Sequence, residues 1–357
     1  MYVFVLIVNA FSIKNYFSTN AAPAQFSFLK NGYCKWLLYE VKQGYLNMKA
    51  IILSEFGPAQ NLQLADVGVP EINDGQVLVK VNAIGINPVD VKSRETQAVL
   101  TGIKDRPIIL GWDISGIVTE SNSPQFKKGD EVFGMVNFPG HGKAYAEFVA
   151  APAAHLALKP VNTSHDEAAA ACLAALTAWQ ILTEHYKLSK GQRVLIHAGS
   201  GGVGHYAVQI AKYLGAYVIA TSSAANKRFV LSLGADEHID YQAVQFEDEA
   251  DNIDLVINPL TREIAERSIA VVKQGGTVIS IASGVDDELK EKAGKKNVKI
   301  FKTMVKSSGK DMQQLAKLLY DGQLESHVSE VFALEDIRKA HASIESGRTV
   351  GKIVVKP

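Results

Sequence analysis

The pattern of apolar and polar positions divides the chain near residue 166. From Met48 to about residue 149, short apolar runs alternate with glycine, proline, asparagine and aspartate, and no period of 3.6 residues is sustained. Residues 77–81, 114–118 and 130–133 have the length and the bounding turn residues of β-strands. We therefore expect this part of the chain to form a compact β domain.

Beyond residue 166, apolar strands alternate with helices. The pattern predicts helices over residues 167–182, 203–214, 226–233 and 262–272, and strands over residues 194–197, 217–221, 253–257 and 277–281. Buried strands that alternate with helices are typical of a parallel, doubly wound sheet in an α/β fold. After residue 306, the pattern predicts a helix over 311–320, a polar stretch and a last strand over 352–355.

A complete G-x-G-x-x-G motif, Gly-Ser-Gly-Gly-Val-Gly, occupies residues 199–204 between a predicted strand and a predicted helix. Gly199 permits a tight turn, Gly201 lets the backbone approach a diphosphate, and Gly204 lets the helix pack closely on the strand. The unpaired N–H groups of the helix N-terminus then face the diphosphate charge. The motif predicts a dinucleotide site with contacts from Gly199, Gly201, Gly202, Val203 and Gly204.

The end of the next strand selects the cofactor. Sites for NAD usually place an acidic residue there to bind the ribose hydroxyls, but this chain has Thr221, Ser222 and Ser223. Small hydroxyl side chains leave room for a 2′-phosphate, and Lys227 or Arg228 can pair with it. The cofactor is therefore predicted to be NADP(H). The alternative is that both cations are solvated residues at the start of a helix.

Several segments, in this order along the chain, resemble the quinone oxidoreductase branch of the medium-chain dehydrogenase/reductase superfamily, which includes zeta-crystallin-like proteins and alkenal/enone reductases. They are MKAIILSEFG (48–57), INPVDVKSRE (86–95), GWDISGIV (111–118), KKGDEVFG (127–134), AYAEFV (144–149), LTAWQIL (176–182), HAGSGGVGHYAVQIAKYLGA (197–216) and VGKIVV (350–355). The resemblance implies a Rossmann domain over 166–306 and a GroES-like, β-rich catalytic domain formed by 48–165 and 307–357. The active site is then expected in the cleft between the two domains.

The resemblance also implies roles for individual residues. It places Asn87 and Thr177 near the nicotinamide, and Tyr241 beside the adenosine phosphate together with Lys227. The structural alternatives are that Asn87 simply suits the turn before a proline, and that Thr177 bonds to its own helix backbone.

Zinc-dependent relatives need cysteine and histidine ligands, and this chain has only two cysteines, Cys34 and Cys172. Gly111-Trp112-Asp113 stands where the resemblance implies a histidine ligand, and Leu173 where it implies a cysteine. We expect no metal, and Cys172 is expected to be a small core residue.

Without a Lewis acid, the best hydride acceptors are compounds that spread the incoming charge themselves. The predicted substrates are therefore quinones or α,β-unsaturated carbonyl compounds such as enones and enals. Trp112 is predicted either to line the substrate pocket or to be a core aromatic. The sequence identifies no proton donor. A protein that binds NADPH without turnover remains the alternative.

The composition of the chain argues against some other classes of binding partner. Lysine plus arginine equals aspartate plus glutamate, at 37 each, so neither nucleic acid nor a membrane surface is expected to bind. The two cysteines suit a cytoplasmic location, and the resemblance implies a homodimer. The apolar run at residues 2–11 is too short to span a bilayer and no cation precedes it as in a secretory signal. Residues 1–47 are predicted to be a poorly ordered appendage or a mis-called start, with a targeting segment or membrane tether as alternatives.

Overall fold

A computed structural model of the protein describes residues 47–100, 102–104 and 106–357. The predictions made for residues 1–46 lie outside this range. None of the helices within it has the length and the hydropathy that a bilayer crossing requires.

The first part of the described chain contains eight strands and one α-helix. In chain order they are β1 (Asn47–Leu53), β2 (Leu62–Gly68), β3 (Gln76–Ile86), α1 (Pro88–Thr96), β4 (Ile108–Ile109), β5 (Asp113–Ser121), β6 (Glu131–Met135), β7 (Phe148–Pro152) and β8 (Leu156–Leu158). The long strands β3 and β5 pair antiparallel from Val77↔Ser121 to Gly85↔Asp113, and β1 lies between β2 and β4 in a small separate sheet. The predicted β-rich domain is therefore confirmed.

Helix α1 interrupts these strands at a place where the apolar pattern indicates no helix. Its start is fixed by Pro88 in the first turn and by the Asp90 carboxylate, which accepts a hydrogen bond of 2.8 Å from the Asn87 backbone N–H. The helix is only nine residues long, too short for an amphipathic period to stand out. Its sequence signal was the cap and not the hydrophobic pattern.

Helix α2 (His165–Gln180) lies between the strands just described and the rest of the chain. Its alanine-rich sequence permits close packing, since a Cβ atom on Gly85 of β3 would lie only 2.5 Å from the backbone oxygen of Ala169. Ser164 is the N-cap of this helix. The helix passes into a π-helical turn at Ile181–His185, so its α-helical part ends two residues before the predicted position.

Replacement of Ser164 by alanine is expected to lower the free energy of unfolding by about 1 kcal/mol. The Ser164 hydroxyl accepts a hydrogen bond of 3.2 Å from the Glu167 backbone N–H, and the Glu167 carboxylate accepts one of 2.8 Å from the Ser164 N–H. Urea unfolding measures the loss. Ser189→Ala is the matched control, because this exposed hydroxyl has no hydrogen bond within the described chain. Equal effects of the two substitutions would contradict the capping role.

The second part of the chain forms a six-stranded sheet in the order β11-β10-β9-β12-β13-β14. Its elements are β9 (Arg193–Ile196), α3 (Gly204–Tyr213), β10 (Tyr217–Ser222), α4 (Lys227–Ser232), β11 (Glu237–Asp240), α5 (Phe246–Glu249), β12 (Ile253–Asn258), α6 (Arg262–Ser268), β13 (Val272–Ser280), α7 (Asp287–Lys295) and β14 (Lys299–Lys302). All neighbouring strands in this sheet pair in parallel. The predicted doubly wound parallel sheet is confirmed, and its order reverses between β9 and β12, where such sheets bind ligands.

The differences from the sequence prediction lie mainly at the edges of this sheet. The polar edge strands β11 and β14 and the exposed helix α7 have too few apolar residues to be recognised from the pattern. The helix predicted over 262–272 is too long: α6 ends at Ser268, because the chain must turn to enter β13 at Val272.

The end of the chain returns to the first part of the molecule. It forms α8 (Gly309–Tyr320), β15 (Val328–Ala333), α9 (Ile337–Glu345) and β16 (Lys352–Lys356). Strand β16 pairs antiparallel with β3, with Ile353 opposite Ile86, and in parallel with β15. Residues 350–352 consequently lie between the β-rich part and the loop that precedes α3.

Candidate active site

The glycine-rich loop joins β9 to α3 at the reversal point of the parallel sheet. A Cβ atom on Gly204 would overlap the backbone oxygen of Ala198, and one on Gly199 would lie 2.8 Å from the Ala220 side chain. The left-handed residue of the turn is Ala198, with φ of 50°. Gly199 is needed for the close approach to β10, whose Thr221 carbonyl accepts a hydrogen bond of 2.8 Å from its N–H.

A cavity of about 690 Å³ opens beside this loop at the carboxyl ends of the central strands. Four of the predicted cofactor contacts line it: Gly201, Ser222, Ser223 and Tyr241. A cavity of this size, at a helix N-terminus and at the reversal point of the sheet, fits a dinucleotide. Gly199, Gly202, Val203 and Gly204 form the adjoining turn and helix start.

Lys227 lies at the exposed start of α4, outside the cavity wall. It is nevertheless close enough to His238 to lower the pKa of that imidazole, after the larger effect of burial. His238 in turn shares a hydrogen bond of 2.7 Å with the Ser222 hydroxyl. Lys227, His238 and Ser222 therefore belong to one polar group at the end of β10.

Arg348 is a cavity residue that the sequence did not reveal. It lines the cavity with Gly347 and Thr349, and within the described chain its guanidinium has no hydrogen-bond or ion-pair partner. The segment is held against the glycine loop because the Gly351 N–H donates a hydrogen bond of 2.8 Å to the Ser200 carbonyl. An unpaired cation in the wall suits a phosphate-bearing ligand.

His197 forms part of the apolar wall of the cavity despite its polar side chain. It is buried between the hydroxyls of Thr221 and Ser268, at 3.3 and 3.0 Å, and packs edge-on against Phe246. Burial lowers its pKa to about 4. It is neutral near pH 7 and adds no charge to the site.

Asn87 lies in a buried polar group at the end of β3. Its Nδ2 donates a hydrogen bond of 2.8 Å to the Asp113 carboxylate, and its Oδ1 accepts one of 2.5 Å from the Lys352 ammonium group. Asp113 also accepts a bond of 3.0 Å from the Leu173 backbone N–H. We call Asn87, Asp113 and Lys352 the Asn87 cluster. Its members come from three distant parts of the sequence.

Burial dominates the electrostatics around this cluster. It raises the pKa of Asp113 to about 6 and that of Asp90 to about 7, and it lowers the pKa of Lys352. The lysine counteracts the rise at both carboxyl groups. Within the described chain, Asp90 Oδ1 has no hydrogen-bond partner.

A series of hydrogen bonds leads from the buried Arg94 to Asp90. Arg94 has only donors, so its contact of 3.3 Å with His341 makes Nδ1 of that ring the acceptor and leaves the proton on Nε2. His341 then donates to the Tyr145 hydroxyl at 3.0 Å, and Tyr145 donates to Asp90 at 2.9 Å. In each of these three hydrogen bonds, the donor lies on the Arg94 side and the acceptor on the Asp90 side.

The two remaining predicted site residues have structural surroundings. Thr177 is buried and its hydroxyl donates a bond of 2.7 Å to the Leu173 carbonyl of its own helix. Trp112 is fully buried, with its indole N–H bonded to the Gly140 carbonyl at 2.8 Å and its ring edge-on to Phe138. Its indole therefore offers no accessible face for stacking, and the core interpretation replaces the pocket one. Cys172 is a buried core residue, as expected.

Within the described residues, no group of three or more histidine, cysteine, aspartate and glutamate side chains is arranged to hold a metal ion. Asn258, at the end of β12, uses its amide within its own turn, donating to the Thr261 carbonyl and accepting from the Leu260 N–H.

The chain is similar to known proteins over most of its length. A family model described as "Alcohol dehydrogenase GroES-like domain" matches residues 73–161, and one described as "Zinc-binding dehydrogenase" matches residues 233–355. The 2-methylene-furan-3-one reductase of Solanum lycopersicum is 34% identical, covering 87% of this chain and 79% of that protein. The NADPH-dependent alkenal/one oxidoreductase, chloroplastic, of Arabidopsis thaliana is 32% identical, covering 87% and 80%. Among solved structures, the quinone oxidoreductase from Coxiella burnetii has a TM-score of 0.81 at 34% identity and covers 87% of this chain and 99% of that one.

Proposed function

Because the chain belongs to the medium-chain dehydrogenase/reductase superfamily, in its quinone oxidoreductase branch, we propose that it transfers hydride from NADPH to quinones or α,β-unsaturated carbonyl compounds. The observation that carries the proposal is the cavity of about 690 Å³ beside the glycine loop, walled by Ser222, Ser223 and Arg348. When bound there, NADPH supplies the hydride. The protein then has to bind the phosphates, orient the two reactants and exclude water.

The preference for NADPH over NADH rests on charge. Strand β10 ends in Ser222 and Ser223, so no carboxylate repels a 2′-phosphate, and Lys227 stands beside the same position. Arg348 adds a second cation, in the wall of the cavity itself. The related alkenal/one oxidoreductase is itself named NADPH-dependent.

The proposed reaction does not use zinc. Trp112 and Leu173 occupy two of the three positions at which the family resemblance implies ligands, and neither side chain can coordinate a metal. The resemblance implies the third, a cysteine, in the segment around Asn87 (INPVD, 86–90), which contains none, and Asn87 is bonded to Asp113 and Lys352. Quinones and enones suit such a site, since conjugation delocalises the charge that the hydride delivers.

The test is NADPH oxidation by purified protein with a small quinone, an enone and an alkenal, compared as kcat/KM. We expect measurable turnover with at least one of these acceptors. NADPH binding without oxidation across the panel would overturn the proposal and favour a cofactor-binding protein without turnover. A failure to bind millimolar NADPH would remove the cofactor site as well.

Lys227→Glu is expected to weaken NADPH binding by roughly 10- to 100-fold, since a charge-assisted hydrogen bond contributes about 1.5–3 kcal/mol. NADH binding should change by less than about threefold, because NADH lacks the phosphate. Fluorescence titration with both cofactors measures the ratio. Lys128→Glu, an exposed substitution in the loop before β6, is the control. A parallel loss for NADH and NADPH would place Lys227 elsewhere than at the 2′-phosphate.

The proposal includes three further predictions. The protein is predicted to be cytoplasmic and to form a homodimer. Residues 48–165 and 307–357 are predicted to form one domain, and residues 166–306 the other. Mass spectrometry of the native N-terminus tests the assignment of residues 1–47, because a start at Met48 would remove the apolar run.

A further inference from the structure

Lys352 is the one lysine in the described chain with less than a twentieth of its surface exposed, at 3%. It begins β16, and its ammonium group donates hydrogen bonds to the Ile86 carbonyl at 2.7 Å and to Asn87 Oδ1 at 2.5 Å. Burial of an ammonium group is costly, and an apolar side chain of similar volume often stabilises a fold as well or better. Packing alone therefore does not account for a lysine here.

We propose that Lys352 is a positioning residue for hydride transfer, which fixes the Asn87 side chain against the glycine loop through one hydrogen-bonded and one packing contact. This inference rests on the function proposed above and on the family resemblance, which implies that Asn87 lies near the nicotinamide. It adds a role for the last strand of the chain, which none of the predicted site residues includes.

The first contact fixes the orientation of an amide. Because the ammonium group has only donors, it bonds to Asn87 Oδ1, and Nδ2 of the same amide then points to Asp113. A flipped amide would place its N–H₂ group against the ammonium and its oxygen against the carboxylate. Without the lysine, the amide would be oriented only through Nδ2, which bonds to Asp113 and, at 3.5 Å, to the Gly85 carbonyl.

The second contact reaches the cofactor loop. The Cδ atom of Lys352 lies 3.5 Å from the position of a Cβ atom on Gly202, and the preceding Gly351 N–H donates to the Ser200 carbonyl at 2.8 Å. Gly351 is therefore bonded to the loop, and Lys352, which lies beside Gly202, is bonded to Asn87 at the start of α1. A displacement of the loop relative to Asn87 would have to break one of these contacts.

Carboxyl groups on other elements face the same ammonium. Asp113 of β5 and Asp90 of α1 both favour its charged form, against the desolvation that lowers its pKa. The charged form is also the one that locks the Asn87 amide. The two carboxyl groups thus favour a charged lysine between Asn87 and the glycine loop.

The experiment compares wild-type protein with Lys352→Met. Methionine keeps an unbranched chain against Gly202 but removes the ammonium group. We expect kcat for the best acceptor of the panel to fall at least about 10-fold, while the Kd of NADPH changes less than about threefold. The kinetic isotope effect with NADPH deuterated at the transferred position should rise, because a misplaced hydride makes its transfer rate-limiting. A merely structural lysine would not change that isotope effect.

Lys356→Met is the matched control, because Lys356 lies in the same strand but is exposed and pairs with Asp166. It should behave as wild type. Asn87→Ala provides a second route if Lys352→Met does not fold, and it should reproduce the loss in kcat. In the double variant, the loss should not exceed that of Asn87→Ala alone.

Wild-type kcat in either Lys352→Met or Asn87→Ala would overturn the inference, as would additive losses in the double variant. These outcomes are distinct from failure of the proposed function, in which wild-type protein itself oxidises no NADPH with any acceptor. That result would overturn both.

Discussion

Gly204→Ala is expected to weaken NADPH binding by at least about 100-fold, equivalent to about 2.7 kcal/mol, and to destabilise the protein by roughly 1–3 kcal/mol. The new Cβ atom would overlap the Ala198 backbone oxygen, and neither this atom nor the start of α3 can move alone. The loop has to open, so the N–H groups of the helix N-terminus no longer converge on the diphosphate. Fluorescence titration with NADPH and thermal unfolding measure the two effects.

Gly294→Ala is the matched control for this prediction. Gly294 lies on the exposed side of α7, and a Cβ atom there would meet no other atom within 4 Å. The substitution should leave NADPH affinity unchanged and stabilise the helix by roughly 0.5–1 kcal/mol, since alanine restricts the unfolded chain more than glycine does. If Gly204→Ala bound NADPH as well as Gly294→Ala does, the cofactor would not lie on this loop.

The sequence predicted those parts of the fold whose signals are local. The G-x-G-x-x-G motif and the apolar central strands each extend over only a few residues, and each was predicted near its observed place. Helix α1 was missed because nine residues of mixed polarity carry no visible period. Its signal was the Asn87-Pro88 cap with Asp90 three residues after Asn87.

The missed site residues were beyond the reach of local patterns. Lys352 lies 265 residues from Asn87 along the chain, and only the pairing of β16 with β3 brings them together. Arg348 enters the cavity in the same way, through the hydrogen bond between Gly351 and Ser200. For Trp112 the sequence left a pocket and a core position open, since a tryptophan before a β-strand suits both. Its full burial and its bond to the Gly140 carbonyl favour the core position.

Asp90→Asn is expected to change the pH dependence of stability. Burial raises the pKa of Asp90 from 3.8 to about 7, so between these values the native state binds more protons at this group than the unfolded state does. Stability contributed by the protonated form is therefore lost as the pH rises through this window. Asparagine is neutral throughout, and its oxygen can still accept from the Asn87 N–H and the Tyr145 hydroxyl. Relative to wild type, the variant should gain on the order of 2 kcal/mol between pH 5 and pH 8.

Urea unfolding at half-unit pH intervals measures this gain as the widening gap between the two stability curves. Asp113 and Lys352 also face Asp90. Removal of the Asp90 charge should therefore ease ionisation of Asp113. The stability of the variant should then depend less steeply on pH than that of wild type. Asp74→Asn, an exposed substitution before β3, is the control and should give a curve parallel to wild type. Parallel curves for wild type and Asp90→Asn would mean that Asp90 remains ionised in the folded protein at pH 5. The Lys352 ammonium and the donors from Asn87 and Tyr145 would then outweigh the cost of burying the carboxylate.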